Sequence, residues 1–400
     1  MNTNLESEKK LSTVGPPKST LGVIGWMRKN LFSTWYNVIL TILSAVVIFY
    51  TFKGTLTWIF ATAEWSVISA NYKLFFVGQY PPEQLWRIWL ALAVFSLLFG
   101  ISAGIWRGTI IRLAAVLAIL LLINLVIPFT SGNSKMWLAI NLATIVVGFF
   151  IGPLLPKNKA VALIGWVLSF PIVIFLVSGF GVLTTVKTTI WGGFLLTLLI
   201  SIVAIVFAFP IGILLALGRT SKLPIIKYFC IIFIEFVRGV PLITVLFMAQ
   251  LMLPLFFPEG VEINNVLRVM IACTLFTSAY MAENVRGGLQ SLPNGQYEAA
   301  KAIGLNPVQS MTFIIMPQAL RTVIPAIVGQ SISMFKDTSL VAIVGLMDIV
   351  GIAQTVKSNP EFLGKIMETY LFVALCFWIV AYSMSYASRR LEKTLGVGER

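Results

Sequence analysis

The sequence predicts an all-α polytopic membrane protein with about ten transmembrane helices. Three observations predict it. Hydrophobic residues make up 58% of the 400 positions and charged residues only 11%, a balance that cannot clothe a water-soluble surface. Mean hydropathy is +0.92. The apolar residues also gather into runs of bilayer length: about 30 Å of hydrocarbon needs roughly 20 helical residues. Helix is the expected form because lipid offers no partner to an open backbone N–H or C=O.

The first thirty residues are polar, with Glu6, Glu8, Lys9, Lys10, Pro16, Pro17 and Lys18, and contain no apolar stretch of the kind a cleaved signal needs. Residues 1–30 are expected to be a cytoplasmic tail, disordered over 1–20. Five apolar runs follow, at 36–59, 87–106, 109–128, 136–153 and 160–179, and form an accessory bundle over 31–185. The segment 64–87, containing GQYPPEQLWR, is expected outside with an interfacial helix.

A second set of five runs occupies 190–217, 225–256, 266–282, 311–350 and 369–387, within a domain over 186–390. The second of these should break at Gly239 and Pro241. The run at 311–350 is too long for one straight span; Pro317, Pro325, Gly329 and the polar KDTSL at 336–340 are expected to interrupt it. Residues 391–400 are a polar C-terminal tail. Ten of the eleven tryptophans fall in the first 191 residues, and no internal repeat relates the two halves.

Charge and rare residues exclude whole function classes. The net charge is +14, but the cations sit at span ends and not in a patch interleaved with aromatics, so nucleic acid is not the partner. With the N-terminus inside, 19 of the 29 Lys and Arg fall on the cytoplasmic side, so the positive-inside rule places both termini there. The chain has no histidine, which removes histidine catalysis and histidine metal ligation. Cys230, Cys273 and Cys376 lie within apolar runs without ligand spacing, and no metal site is expected. There is no Gly-x-x-x-x-Gly-Lys-Ser/Thr loop. If ATP drives transport, another chain hydrolyses it.

Ionisable groups inside spans are the first candidates for transport chemistry, because each is costly there unless paired or hydrated. Glu235 and Arg238, three apart and so on one helix face, precede the Gly239 and Pro241 break. Two roles fit them: neutralising one another between helices, or contacting a zwitterionic substrate at a pathway or gate. Lys336 and Asp337 are adjacent, face different directions, and need separate partners; they too are pathway candidates. Glu283 and Arg286 are expected to organise a cytoplasmic loop over 283–311, with Gly287 and Gly288 supplying its turn.

That loop continues into the one lengthy polar stretch of the second half, YEAAKAIGLNPVQSMTFIIMPQALR over 297–321. Glu298, Ala299 and Ala300 are strong helix formers, Gly304 interrupts them, and Asn306 with Pro307 reads as the cap and first turn of a second helix. The stretch resembles the cytoplasmic loop of ABC importer permeases: Glu-Ala-Ala, three residues, Gly, nine residues, Ile, one residue, Leu-Pro. Glu298, Ala299, Ala300, Gly304, Ile314 and Pro317 fit, and Met316 stands where the family has leucine. AYMAENVRGGLQSLPNGQ at 279–296 and KDTSL at 336–340 are similar to the branch that imports polar amino acids.

The resemblance covers about half the chain and implies a five-span type I importer core preceded by about five accessory spans. It implies a permease subunit of an ATP-driven importer of polar L-amino acids in the bacterial inner membrane, not itself an enzyme. Glu298, Ala299, Ala300, Gly304, Asn306 and Pro307 would be the ATPase-coupling residues. An ABC ATPase dimer carrying ATP and Mg would dock there, and this chain would bind no cofactor itself. A second permease, identical or a shorter homologue, and an extracytoplasmic amino acid-binding protein complete the implied complex, the accessory spans favouring the heteromeric pair. An ion-coupled secondary amino acid transporter is the alternative, but it should place titratable groups symmetrically in both halves, and the first five spans carry almost none.

Overall fold

The computed structural model describes residues 22–126, 132–258 and 263–395. The expected disorder of 1–20, the end of the third run at Pro128 and the last residues of the C-terminal tail lie outside the described residues. Among the described residues no strand occurs, only three isolated β-bridges. Nine helices among them are long and apolar enough to cross a membrane, or ten if one sharply bent pair counts as a span.

The chain forms two compact units, 1–64 and 65–400. The first contains α1 (Gly22–Asn30) and α2 (Trp35–Thr57), the latter ending in a π turn at Trp58–Thr62. No residue of α2 is buried, as suits a helix for which lipid is the solvent.

The second unit begins with α3 (Ser66–Ala70) and α4 (Tyr72–Val77) and continues with α5 (Leu85–Trp106), α6 (Thr109–Val126), α7 (Gly132–Ile151) and α8 (Asn158–Ser178). Its second half holds α9 (Gly193–Arg219), α10 (Pro224–Gly239), α11 (Leu242–Phe247), α12 (Asn265–Gln290), α13 (Asn294–Ala302), α14 (Pro307–Gln309), α15 (Met316–Asp337), α16 (Ile349–Lys357) and α17 (Ile366–Leu395). The compact units thus part at Glu64 and Trp65 and not at 185/186. The reason is a shared core: Tyr80, Ala91, Val173, Leu176 and Val177 are buried in one cluster with Leu196, Ile200, Val269 and Phe276. The segment 64–87 likewise packs inward, Val67, Ile68 and Phe75 clustering with Ile349, Ile352 and Val373.

Helices α5 and α7 approach through glycines. A Cβ at Gly100 would stand 2.2 Å from the Ile145 carbonyl oxygen, at Gly104 2.3 Å from that of Phe149, and at Gly148 2.5 Å from that of Leu97. Gly100 and Gly104, like Gly148 and Gly152, have the Gly-x-x-x-Gly spacing that lets membrane helices touch backbone to backbone. Gly100→Leu is expected to force them apart and lower the thermal unfolding temperature, at an overpacking cost of about 1–3 kcal/mol or more. Gly132→Ala, where nothing lies within 4 Å, is the control; equal melting of the two variants would refute the close-packing account.

The two expected breaks in the spans differ in outcome. The break after Glu235 and Arg238 is present: α10 and the Leu242–Phe256 stretch meet at 107°, with Pro241 unable to donate into the turn before it. The break in the long run falls at one of its expected places, the KDTSL segment, and not at Pro325 or Gly329. Helix α15 passes through Pro325 and Gly329 to Asp337, and the change comes at Thr338–Val344, a 3₁₀ stretch closed by Gly345 at φ 85.

Candidate functional site

Helix α12 and the polar loop after it form the candidate site. The α12 helix does not turn at Gly287 and Gly288, as the glycine pair predicts; it runs through them to Gln290. Gly288 serves packing instead, since a Cβ there would lie 2.6 Å from the Ala319 carbonyl oxygen on α15. The chain leaves the helix at Ser291 and reaches Pro293, the residue before α13. The polar loop is therefore shorter than 283–311, with Glu283 and Arg286 inside the helix that supports it.

Within the loop, Glu298, Ala299 and Ala300 lie on α13. Ala300 is buried and the other two face solvent. Gly304 adopts φ 80, and around it the Leu305 N–H donates to the Ala300 carbonyl at 3.2 Å and the Gly304 N–H to the Lys301 carbonyl at 3.0 Å. This is the paired closure that ends a helix through a left-handed residue. Asn306 then opens α14: its Oδ1 accepts from the Gln309 N–H at 2.8 Å, while Gln309 Oε1 accepts from the Asn306 N–H at 3.1 Å. Pro307 occupies the first turn, where its missing N–H has no partner to lose.

The loop is anchored on one side and bare on the other. Gln318 Nε2 donates to Gln296 Oε1 at 3.1 Å. Ile303, Val308 and Phe313 stand 72%, 73% and 67% exposed.

At the root of the loop an ion cluster joins three helices around Glu283. Arg286 Nε donates to both Glu283 carboxylate oxygens at 3.0 Å, and its Nη2 forms a further ion pair with Oε1. From α10, Arg238 Nη1 approaches Glu283 Oε2 at 3.4 Å, its guanidinium 5.7 Å from the Tyr280 ring centroid. From the end of α9, Arg219 Nη1 reaches the same oxygen at 3.5 Å and Glu235 Oε1 at 2.8 Å.

The possible pairing of Glu235 with Arg238 is therefore not realised; each finds a partner across a helix interface. The pairing of Glu283 with Arg286 is. Glu235 is the outermost member, its side chain 54% exposed, so Glu235→Ala is expected to cost under about 1 kcal/mol, the range of solvent-exposed pairs. A larger loss in denaturant or thermal unfolding would contradict that assignment.

Lys336 and Asp337 stand apart from this cluster at the end of α15, and neither joins an ion pair among the described residues. No group of three or more metal-ligating side chains occurs among the described residues. Sequence reasoning did not single out three charged positions that the structure gives defined partners. Arg219 reads in the sequence only as a topogenic charge. Asp348 is fully buried, caps α16 by accepting from the Gly351 N–H at 2.9 Å, and burial pushes its carboxyl up to about 7. Arg87, buried on α5, donates to the Thr184 carbonyl at 2.7 Å.

Comparison with known proteins bears on the site. Residues 208–397 match the family described as binding-protein-dependent transport system inner membrane component. The chain is 38% identical over 390 residues to the inner membrane amino-acid ABC transporter permease protein YhdY of Escherichia coli strain K12, covering 93% of each. It is 38% identical over 439 residues to the glutamate/glutamine/aspartate/asparagine transport system permease protein BztC of Rhodobacter capsulatus, covering 98% of each. With the probable glutamine ABC transporter permease protein GlnP of Bacillus subtilis it shares 36% identity, over 51% of this chain and 92% of that one.

Proposed function

The chain belongs to the amino-acid ABC transporter permeases, inner membrane components of binding-protein-dependent transport systems, and from that premise we propose how its site works and what it carries. It is a multi-pass inner membrane permease subunit of an ABC importer. In the proposed reading its substrates are polar L-amino acids; the name of BztC prints glutamate, glutamine, aspartate and asparagine, and that of GlnP prints glutamine. Ion-coupled transport finds no support among these relatives.

The observation that carries the coupling role is the bare apolar edge of an otherwise polar loop. Ile303 at the end of α13, Val308 on α14 and Phe313 in the π stretch Ser310–Ile315 that follows protrude, and α13 and α14 are held by a left-handed closure and a capping box. A rigid protrusion with apolar contacts suits a groove on a partner better than it suits water. The partner is an ABC ATPase dimer that holds ATP and Mg, and its closure pulls on Glu298, Ala299, Ala300, Gly304, Asn306 and Pro307. The force passes into α12 and α15, and the Glu283 cluster ties α9 and α10 to the same movement. Glu235 and Arg238, beside the bend of α10, and Lys336 and Asp337, at the end of α15, remain the proposed pathway residues. A second permease, preferably a shorter homologue, completes the pore, and an extracytoplasmic amino acid-binding protein delivers substrate.

Uptake of a panel of amino acids by the reconstituted complex tests the reading. ATP-dependent uptake of polar amino acids is expected; uptake driven by an ion gradient without ATP would overturn it. The 19 of 29 Lys and Arg assigned to one side favour a cytoplasmic position for both termini and the loop. Reporter fusions at the C-terminus and at Gln296 are expected to report cytoplasmic positions, and an external result at either refutes the orientation.

A further inference from the structure

We propose that α3 to α8 serve as a fixed frame during transport, and that α9 swings against them on a pivot at the end of the bundle opposite the polar loop. The proposal rests on the coupling role given above to that loop.

At the far end three backbone segments are joined: the end of α4, the start of α9 and the residues before α16. A Cβ at Gly78 would stand 2.5 Å from the Gly192 Cα, one at Gly192 2.8 Å from the Met347 carbonyl oxygen, and one at Gly193 2.4 Å from that of Phe75. The Gly193 N–H donates to the Met347 carbonyl at 2.8 Å, and the Ile349 N–H to Thr197 Oγ1 at 3.2 Å. Where backbone meets backbone no side chain can change rotamer to absorb a movement, so the segments shift only by giving up their packing. The apolar residues around the joint also mix the two halves of the chain: Tyr80 and Val177 share a cluster with Leu196 and Ile200, and the Tyr80 hydroxyl donates to the Val177 carbonyl at 2.9 Å.

At the loop end the halves keep separate cores. Leu215, Ala216, Cys230, Ile234, Val285 and Ala319 belong to a cluster that, among the described residues, draws on α9, α10, α12, α15 and the segments beside them and on nothing from α3 to α8. Helices α5, α6 and α7 have a cluster of their own, with Ala103, Ala114, Leu121, Leu138 and Ile145. Arg112 Nη1 does cross from α6 to the Tyr386 hydroxyl of α17. But α17 packs on α4 as well, with the Phe75 and Phe372 rings 5.2 Å apart, and so belongs with the frame. A helix held by backbone contacts at one end and by a separable surface at the other turns about the held end. A pull on the loop therefore carries Arg219, at the end of α9, and leaves Gly193 in place.

Electron paramagnetic resonance on the reconstituted complex with its ATPase tests this, comparing the nucleotide-free state with the state trapped by ATP and vanadate. Spin labels on Lys73→Cys/Gln354→Cys span α4 and α16 across the joint; labels on Lys159→Cys/Lys222→Cys span the start of α8 and the turn between α9 and α10. All four positions are exposed, and the unmodified chain treated with the same label gives the background from Cys230, Cys273 and Cys376. The distance between the second pair is expected to shift by more than the width of its resting distribution, and that between the first pair to stay. Equal shifts at both pairs overturn the proposal, and so does an unmoving second pair in a complex that takes up amino acids. Failure of the coupling reading is seen separately, as uptake that needs no ATP, and takes the pivot with it. A functional measurement stands beside the distances. Phe76→Cys/Phe194→Cys, replacing rings 6.2 Å apart between α4 and α9, is joined by a reducible bifunctional methanethiosulfonate. The joined chain should keep most of the uptake of the same variant left unjoined; a loss that reductant reverses would show that the joint has to open.

Discussion

Glu283→Gln is expected to be the most damaging single substitution at the root of the loop. The carboxylate is the one anion that Arg219, Arg238 and Arg286 all reach, and glutamine preserves its shape while removing its charge. Three guanidiniums would then face one another, with only the outlying Glu235 left, beside Arg219. Breaking a buried pair costs about 3–5 kcal/mol; because the Glu283 side chain is 23% exposed, water returns part of it, and about 2 kcal/mol is expected. The measurement is thermal unfolding in detergent of Glu283→Gln, Arg238→Met and the double variant. Removing one surplus cation should recover part of the loss, a coupling above about 0.5 kcal/mol. Strict additivity, or a melting temperature unchanged by Glu283→Gln, would show that the cluster is not a joint between α9, α10 and α12.

The residues that were legible in the sequence are those whose effect is local. Gly304 and Asn306 with Pro307 announce a helix end and a helix start, and both closures are made by atoms within five residues of one another. The break at Pro241 is local in the same sense. The partners of Glu235 and Arg238 were not legible, because a spacing of three permits an intrahelical pair but cannot weigh it against an arginine 16 residues upstream or a glutamate on another helix. Gly288 misled for a related reason. A glycine pair at an expected helix end reads as a turn, while its actual role, contact with Ala319, depends on which helix lies alongside. Pro325 shows the reverse: a proline that should break a helix is carried through within α15, as membrane helices tolerate.

Gly304→Val is expected to separate folding from coupling. At φ 80 a glycine is at ease and a β-branched residue is not, since left-handed backbone crowds Cβ against its own carbonyl. No atom lies within 4 Å of where the Cβ would stand, so the penalty is conformational and does not come from collision; it falls on the closure that joins Ala300 to Leu305. A strain of roughly 1–3 kcal/mol matches the whole net contribution of about 1–3 kcal/mol from a closure of two hydrogen bonds. The direction of α14 relative to α13 should then be lost, and with it the placing of Ile303 and Val308. No span is touched, so insertion and the melting of the membrane core should remain as in the unmodified chain. Gly304→Ala, with less backbone restriction, should fall between the two. If the loop is the coupling element, Gly304→Val either loses the ATPase during purification or leaves hydrolysis running without amino acid uptake. Normal copurification together with normal uptake would refute the assignment of this loop to coupling, because an inert connector would tolerate the same strain with no consequence beyond its own residues.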